Sequence, residues 1–358
     1  MRIIFYFGHP AQYLFVKNTL IHLKNNADID YKIIIKTKDV LEQLISSDNL
    51  PFENVYKKTR GNNKFSIVLS LISRIFKVFK IAIKYKPTLF WGGDPSIAIV
   101  SKVLRKDCII VGEDDYKVIH KLAKITFPYA TAILFPNVCD VGPYNYKKIG
   151  YEGYMKLAYL HPNVFELNKN VLEKYVNTSN YILIRLSELK AYHDAGIGGF
   201  TEEILNELIA LFEEKKIKFY ISAEGAINEK YDKYLLKPKP IDMVHILAGA
   251  TLFIGDSQSM TVEACMLGIP SVRFSDFAGK ISVLEELEHK YGLTYGIPCR
   301  DKEDLFSKTR SLLNDKHIKE EFQKRKQIML SEKINVSGFI TDLIVNYPAV
   351  LKLIRSHK

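Results

Sequence analysis

The chain has 358 residues, 47% hydrophobic and 25% charged, with a mean hydropathy of -0.05, which excludes disordered and fibrous classes and leaves room for two domains of about 150 to 180 residues. The formal net charge of +11 calls for an anionic partner: a nucleotide, a phospholipid surface or a nucleic acid. No stretch reaches the roughly 18 to 20 apolar residues of a membrane span, and Met1 to Gly8 runs into a strand pattern instead of a signal peptide, so a cytoplasmic location is expected.

From the N-terminus, short β-branched or aromatic runs alternate with longer amphipathic ones, the pattern of βα units in a parallel sheet. Strands are predicted at Arg2 to Phe7, Tyr31 to Lys36, Thr88 to Trp91, Cys108 to Gly112 and Ala132 to Phe135, with helices at Ala11 to Asn25, Lys64 to Tyr85 and Pro95 to Leu104. Between Pro136 and Thr178 the periodicity weakens and Pro, Gly, Asn and Tyr accumulate, which suits an inter-domain connection. A second alternation follows: Tyr181 to Leu186, Thr201 to Glu214, Lys218 to Ser222, Ile241 to Ala248, Leu252 to Gly255, Met260 to Leu267 and Ser271 to Phe274. From Asp301 onward the sequence reads as helices, and the last, after Asn335, is apolar enough to need a docking surface. The expected fold is α/β: two Rossmann-like, doubly wound domains, residues 1–165 and 166–340, with a cleft between them and residues 341–358 as a helix returning to the first.

In open parallel sheets, ligands bind beyond the carboxyl ends of the strands, so the polar residues that follow strands are the candidates. The first group is Gly8-His9-Pro10-Ala11-Gln12, a glycine turn before a helix whose N-terminus can receive an anion. Next come Gly92-Gly93-Asp94-Pro95 and Gly112-Glu113-Asp114-Asp115, which set carboxylates after apolar strands. There, mutual repulsion and partial burial raise carboxylate pKa values towards the range of a general base; the alternative is that Asp94 and Asp115 cap helices. The strongest group runs from Gly255 to Ala264: its small residues allow close backbone approach, Ser257, Gln258, Ser259, Met260 and Thr261 open a helix suited to a diphosphate, and Glu263 lies one turn inside to take a ribose hydroxyl. Arg185, Ser187, Glu224, His245 and the His193 of Ala191-Tyr192-His193-Asp194 are further candidates to line the same cleft.

Other chemistries drop out. His9, His193 and His245 lie on separate elements without HxH or HExxH spacing, so no metal or other cofactor is expected. The sequence has no GxGxxG, GxSxG or Walker lysine loop, which removes nicotinamide dehydrogenases, serine hydrolases and P-loop NTPases. Cys108, Cys139, Cys265 and Cys299 follow neither a CxxC pattern nor a disulfide framework and read as buried free thiols.

From Asn54 to Gly93 no residue is acidic, while lysines and arginines interleave with Phe65, Ile67, Leu71, Ile75, Phe76 and Phe79. Such a cationic amphipathic segment can lie on an anionic membrane, with Arg74, Lys77, Lys80 and Lys84 facing the lipid. It can equally be a crossover helix with its apolar face on the sheet and its lysines in water, and the two are compatible. No nucleic-acid-binding motif is present, so nucleic acid is not an expected partner.

The segments GHPAQYLFVKN, GEDD, YMKLAYL, RLSELKAYHD, ISAEG, GDSQSMTVEACMLGIPSVR and LEELEHKYGL together resemble a bacterial and archaeal GT-B family labelled as a domain of unknown function, over nearly the whole chain. More distantly, the layout is similar to non-hydrolysing UDP-N-acetylglucosamine 2-epimerases. That resemblance puts Asp94 and Glu113 at their acid-base positions, His193 at their second-lobe histidine, and Asp256-Ser257 to Glu263 at their nucleotide loop. Gln258 and Ser259 stand where those enzymes have two glycines, and GHPAQ stands for GTRPE. Arg185 and Glu263 resemble the diphosphate- and ribose-holding pair of GT-B glycosyltransferases, which need no metal. The resemblance implies a nucleotide-sugar-dependent glycosyltransferase with a UDP-linked donor, in cell-surface polysaccharide or glycolipid synthesis, with Asp94, Glu113 or His9 deprotonating a lipid-linked or saccharide acceptor. The alternatives are a UDP-sugar 2-epimerase using Asp94 and Glu113, and a non-catalytic nucleotide-sugar-binding protein.

Overall fold

The computed structural model describes residues 1–24, 28–37, 40–57, 64–187, 199–347 and 349–351. The first part of the chain gives β1 Arg2–Phe7, α1 Pro10–Leu23, β2 Asp30–Lys36, α2 Leu41–Ser47, β3 Phe52–Tyr56, α3 Lys64–Tyr85, β4 Leu89–Gly92, α4 Pro95–Val103, β5 Asp107–Val111, α5 Tyr116–Thr126, β6 Ala132–Pro136, β7 Lys148–Tyr151 and α6 Leu157–Leu160. There follow α7 Lys169–Glu173, β8 Tyr181–Leu186, α8 Glu202–Glu214, β9 Lys218–Ala223, α9 Met243–Gly249, β10 Leu252–Gly255, α10 Gln258–Leu267, β11 Ser271–Phe274, α11 Ser282–Glu285, β12 Tyr295–Ile297, α12 Lys302–Asn314 and α13 Ile318–Glu332, and last α14 Val336–Val345. The chain divides into two units, Met1–His161 with Ile334–Lys358, and Pro162–Lys333.

The first unit holds a seven-stranded sheet in the order β3-β2-β1-β4-β5-β6-β7, parallel throughout. Its inner strands are continuous apolar runs because both faces are covered: Ile3 to Phe7, Leu89 to Trp91 and Cys108 to Ile110 are buried. The chain leaves β1 towards β3, then α3 carries it back to β4 on the other side of β1, which makes the β1/β4 boundary a switch point. Right-handed crossovers put α1 and α2 on one face of the sheet and α3, α4 and α5 on the other, where α4 packs between α3 and α5.

The return of the chain begins at Ile334, earlier than the residue 341 of the sequence reading, because Asn335 caps α14 by accepting from Gly338 N at 3.1 Å. The α14 helix packs on α1 and α6, with Thr19 and Thr341 hydroxyls 2.9 Å apart and the Tyr151 and Phe339 rings 5.7 Å apart.

The second unit holds a five-stranded parallel sheet in the order β12-β11-β10-β8-β9, and its switch point falls between β8 and β10. Every strand read from the sequence is present to within a residue or two. Three were not foreseen: β3, β7 and β12, which are edge strands, short and half-exposed, and so lack the apolar runs that mark the inner ones. Cys108, Cys139 and Cys265 are buried free thiols as expected, while Cys299 is only half-buried.

Candidate functional site

In the second unit, β10 ends at Gly255 directly beside Arg185 of β8. The chain then turns into α10 with Ser257 as its cap: Ser257 Oγ accepts from Met260 N at 3.4 Å, and Thr261 Oγ1 donates to Ser257 O at 2.8 Å. These two bonds fix the first turn, while the N–H groups of Gln258 and Ser259 have no partner within the helix and point out past its positive end. Ser257, Met260 and Thr261 are buried, whereas Gln258, Ser259 and Glu263 are partly exposed.

Arg185 Nη1 donates to Ser222 Oγ at 2.6 Å and Nη2 to Glu224 Oε1 at 2.8 Å. Glu224 is half in solvent, with 49% of its side chain exposed, so its hold on Arg185 is the kind of ion pair an entering anion can replace at little cost. Ser187 N donates to Asp256 Oδ1 at 2.7 Å; burial raises the Asp256 carboxyl, and that bond opposes the rise. The structure therefore brings Arg185, Ser187, Glu224, Asp256 and Ser257 to neighbouring strand ends. His245 is engaged elsewhere: its Nδ1 accepts from Asn168 N at 3.2 Å, its ring stacks on Phe165 at 5.2 Å, and burial lowers its pKa. His193 lies outside the described residues.

The first unit's strand ends are built differently. Asp94 caps α4, its Oδ1 accepting from Ser96 N at 2.9 Å and Ser96 Oγ at 2.6 Å. It is only 5% exposed and is paired with Arg74 at 3.5 Å and Lys36 at 3.8 Å. Arg74 is itself buried and also bonds Ser70 Oγ, so it does not face outward as the basic-helix reading expected; the Asp94 carboxylate draws it onto the sheet. Beside Asp94, Gly92 has φ of +154°, where a Cβ would stand 2.3 Å from Tyr6 O, so only glycine fits this turn.

Glu113 Oε1 takes a 2.6 Å ion pair from the buried Lys156, and its Oε2 accepts from Met155 N at 3.2 Å. Asp115 does not cap α5 through its side chain; its Oδ1 accepts from Asp140 N at 2.8 Å. The carboxylate of this group whose pKa is raised is Asp114, by desolvation and by the charges of Glu113 and Asp115, although its side chain still reaches solvent.

The glycine turn after β1 offers an anion little. Pro10 has no N–H, Ala11 N is taken by His9 Nδ1 at 3.2 Å, and Gln12 N by His9 O at 3.1 Å. Capping through Nδ1 leaves the proton of a neutral His9 ring on Nε2, and the His9 side chain is exposed.

Two residues with a part in these sites were not singled out from the sequence. Asp114 could have been, as the middle of three successive acids. Arg273 could not: it is fully buried at the end of β11, where its Nη1 donates to Gln258 Oε1 at 2.9 Å, and Gln258 in turn donates to Ser275 Oγ at 2.8 Å. Glu285 and Glu288 lie 3.6 and 3.8 Å from Arg273 Nη2. With His289 they bring three possible metal donors within 4.8 Å of one another among the described residues, but the cation they serve is this guanidinium.

The sequence matches, over residues 14–333, the family described as "Protein of unknown function (DUF354)". No curated protein matches it by sequence. Solved structures do match in fold. The Neisseria meningitidis UDP-GlcNAc 2-epimerase bound to UDP-GlcNAc is 13% identical, with 96% of this chain and 98% of that chain covered at a TM-score of 0.66. The Anabaena protein Alr3699/HepE, in complex with UDP and glucose, is 12% identical over 97% and 100% at 0.62. The spinosyn forosaminyltransferase SpnP is 14% identical over 99% of both chains at 0.60. At these identities the likeness establishes the fold, which is the GT-B arrangement of two parallel sheets flanked by helices.

Proposed function

This chain belongs to the DUF354 family, and we propose that it is a nucleotide-sugar-dependent GT-B enzyme, specifically a glycosyltransferase acting without metal in cell-surface polysaccharide or glycolipid synthesis. The observation that carries this reading is the opening of α10: two unshared N–H groups at a helix N-terminus, at the end of a central strand, with Arg185 on the adjoining strand. A leaving nucleoside diphosphate needs hydrogen-bond donors and positive charge placed before the bond breaks, and this turn supplies both. Glu263 takes the ribose, Arg185 exchanges Glu224 for the diphosphate, and Arg273 keeps Gln258 in place. The fold is shared with a structure bound to UDP-GlcNAc and one with UDP and glucose, which favours a UDP-linked donor.

In the first unit, an acceptor hydroxyl loses its proton to Asp114 as it attacks the anomeric carbon, while His9, whose Nδ1 is taken by Ala11 N, can only donate from Nε2. The Asp114 side chain reaches solvent, and its raised pKa suits a base. Asp94 and Glu113 serve this reaction as charged supports of the strand ends. The acceptor is a saccharide or a lipid-linked saccharide, and the protein works at the inner face of the membrane.

Epimerisation at C2 is the second reading. The fold likeness to UDP-GlcNAc 2-epimerases favours it, and it asks Asp94 and Glu113 to pass a proton to and from carbon. The ion pairs on both carboxylates weigh against that exchange.

The test is to incubate the protein with a panel of nucleotide sugars, with and without membrane lipid extract, and to follow nucleotide release and sugar stereochemistry by NMR. Nucleotide released only with acceptor is the expected result. A new epimer without acceptor selects the second reading, binding without turnover selects a non-catalytic binder, and failure to bind any nucleotide or nucleotide sugar removes all three.

A further inference from the structure

We propose that the α3–α4–α5 side of the first unit is a docking surface for an anionic membrane, seated by apolar stripes on two helices, α3 and α5. The α3 helix carries more apolar residues than the sheet can cover. The line it turns to the sheet is Ser70, Arg74, Val78 and Ala82, every fourth residue, all buried. Ile67, Leu71 and Ile81 flank that line and are half-buried. A second apolar stripe faces outward, with Val68 54%, Ile72 54%, Phe76 64% and Ile83 52% exposed, and Leu69 and Phe79 beside them. On the inner side Arg74 neutralises Asp94.

The α5 helix repeats the exposed stripe. Its buried residues are the small Ala123 and Thr126, while Val118, Leu122 and Ile125, at i, i+4 and i+7, are exposed and lead on to exposed Tyr129. An ordinary surface helix buries such a stripe. The opposite face of the same sheet does so, since α1 lies under α14.

Charge identifies the occupant. No acidic residue occurs in α3, α4 or α5, while Lys80, Lys84, Lys117, Lys121 and Lys124 are all exposed among these apolar groups; Lys77 instead donates to Val55 O at 2.8 Å. Two copies of this face would repel each other, which argues against self-association. An anionic lipid surface satisfies both parts: apolar side chains enter the acyl boundary while lysine stems lie along it and keep their ammonium groups at the headgroups. The binding is peripheral, since no described helix is long and apolar enough to cross a membrane.

This inference stands apart from the reaction, and its test needs no turnover. The full chain is co-sedimented with vesicles of phosphatidylcholine alone or mixed with phosphatidylglycerol, over a range of salt. Binding is expected only to the mixed vesicles and is expected to weaken with salt. Ile72→Ser with Phe76→Ser on α3, and Leu122→Ser with Ile125→Ser on α5, should each weaken it about tenfold, with the circular dichroism and melting temperature unchanged. Lys80, Lys84 and Lys121 reversed to Glu should abolish it. Equal binding to neutral vesicles, or binding indifferent to these changes, overturns the proposal. Loss with the α3 pair alone overturns the two-helix surface. A dimer in light scattering that the same substitutions dissociate assigns the face to a second copy instead.

Discussion

Each unit carries a turn after a central strand that leads into a helix, at the β1–α1 and β10–α10 junctions, and the two turns are spent in opposite ways. At α1 the proline lacks an N–H and His9 takes the next two, so the helix end is closed by its own chain. At α10 the serine cap satisfies Met260 and leaves Gln258 and Ser259 open. The charges follow the same division. Asp94 and Glu113 are held by Arg74 and Lys156, which are 6% and 2% exposed, whereas Arg185 leans on a glutamate half in water. Buried pairs resist re-partnering because a lone charge left behind is costly; exposed pairs exchange freely. A strand end lined with charge is thus not yet a binding site: what matters is whether its donors and charges are already committed.

The largest test of this contrast is Arg74→Ala. Leaving Asp94 with Lys36 and Ser96 as its remaining partners should cost about 3 kcal/mol, read in urea unfolding by the fluorescence of Trp91, the single tryptophan, buried in β4. Adding Asp94→Asn should restore much of the loss, and no restoration would mean that the pair is not what holds this turn. Next is Arg185→Ala. It should weaken UDP binding by about 2 kcal/mol, roughly thirtyfold, while stability moves by no more than about 1 kcal/mol.

Glu224→Gln sharpens the comparison further. If Glu224 only occupies Arg185 until an anion arrives, the change tightens UDP binding by up to about fivefold; weaker binding would place Glu224 on the ligand itself. Ser257→Ala should cost about 1 kcal/mol of stability through the lost cap, visible as a lower unfolding midpoint. The smallest effect concerns His245. Its folded pKa lies below the ordinary value of 6.5, so the unfolded chain takes up its proton first, and stability falls as pH drops through that value and below. His245→Phe should flatten that part of the stability profile, measured between mildly acidic and neutral pH.

The inner strands were readable because burial on both faces makes them apolar runs, and α10 was readable because a cap, small residues and a strand end occur together in ten consecutive positions. The partners of the charged residues were not, because Arg74 meets Asp94, Lys156 meets Glu113 and Arg273 meets Glu288 only after folding. The same gap misplaced Arg74. The apolar residues of α3 occupy most of its circumference, so a helical wheel alone does not say which part meets the sheet; the pairing of Arg74 with Asp94 decides it. Asp114 illustrates the converse, since Glu113 and Asp115 acquire protein partners and the acid between them keeps its reach to solvent.

The α14 helix carries a consequence for how the protein is made. Residues 162–333 form the second unit without interruption, so that unit can close while synthesis is still under way. The first unit cannot, because the hydroxyl that meets Thr19 belongs to Thr341, 322 positions later. A ribosome must therefore pass Thr341 before α1 receives its cover, and a nascent chain stopped at residue 333 presents its first unit to chaperones with that side bare. The α14 helix is a latch, and of the two units the one begun first is completed second.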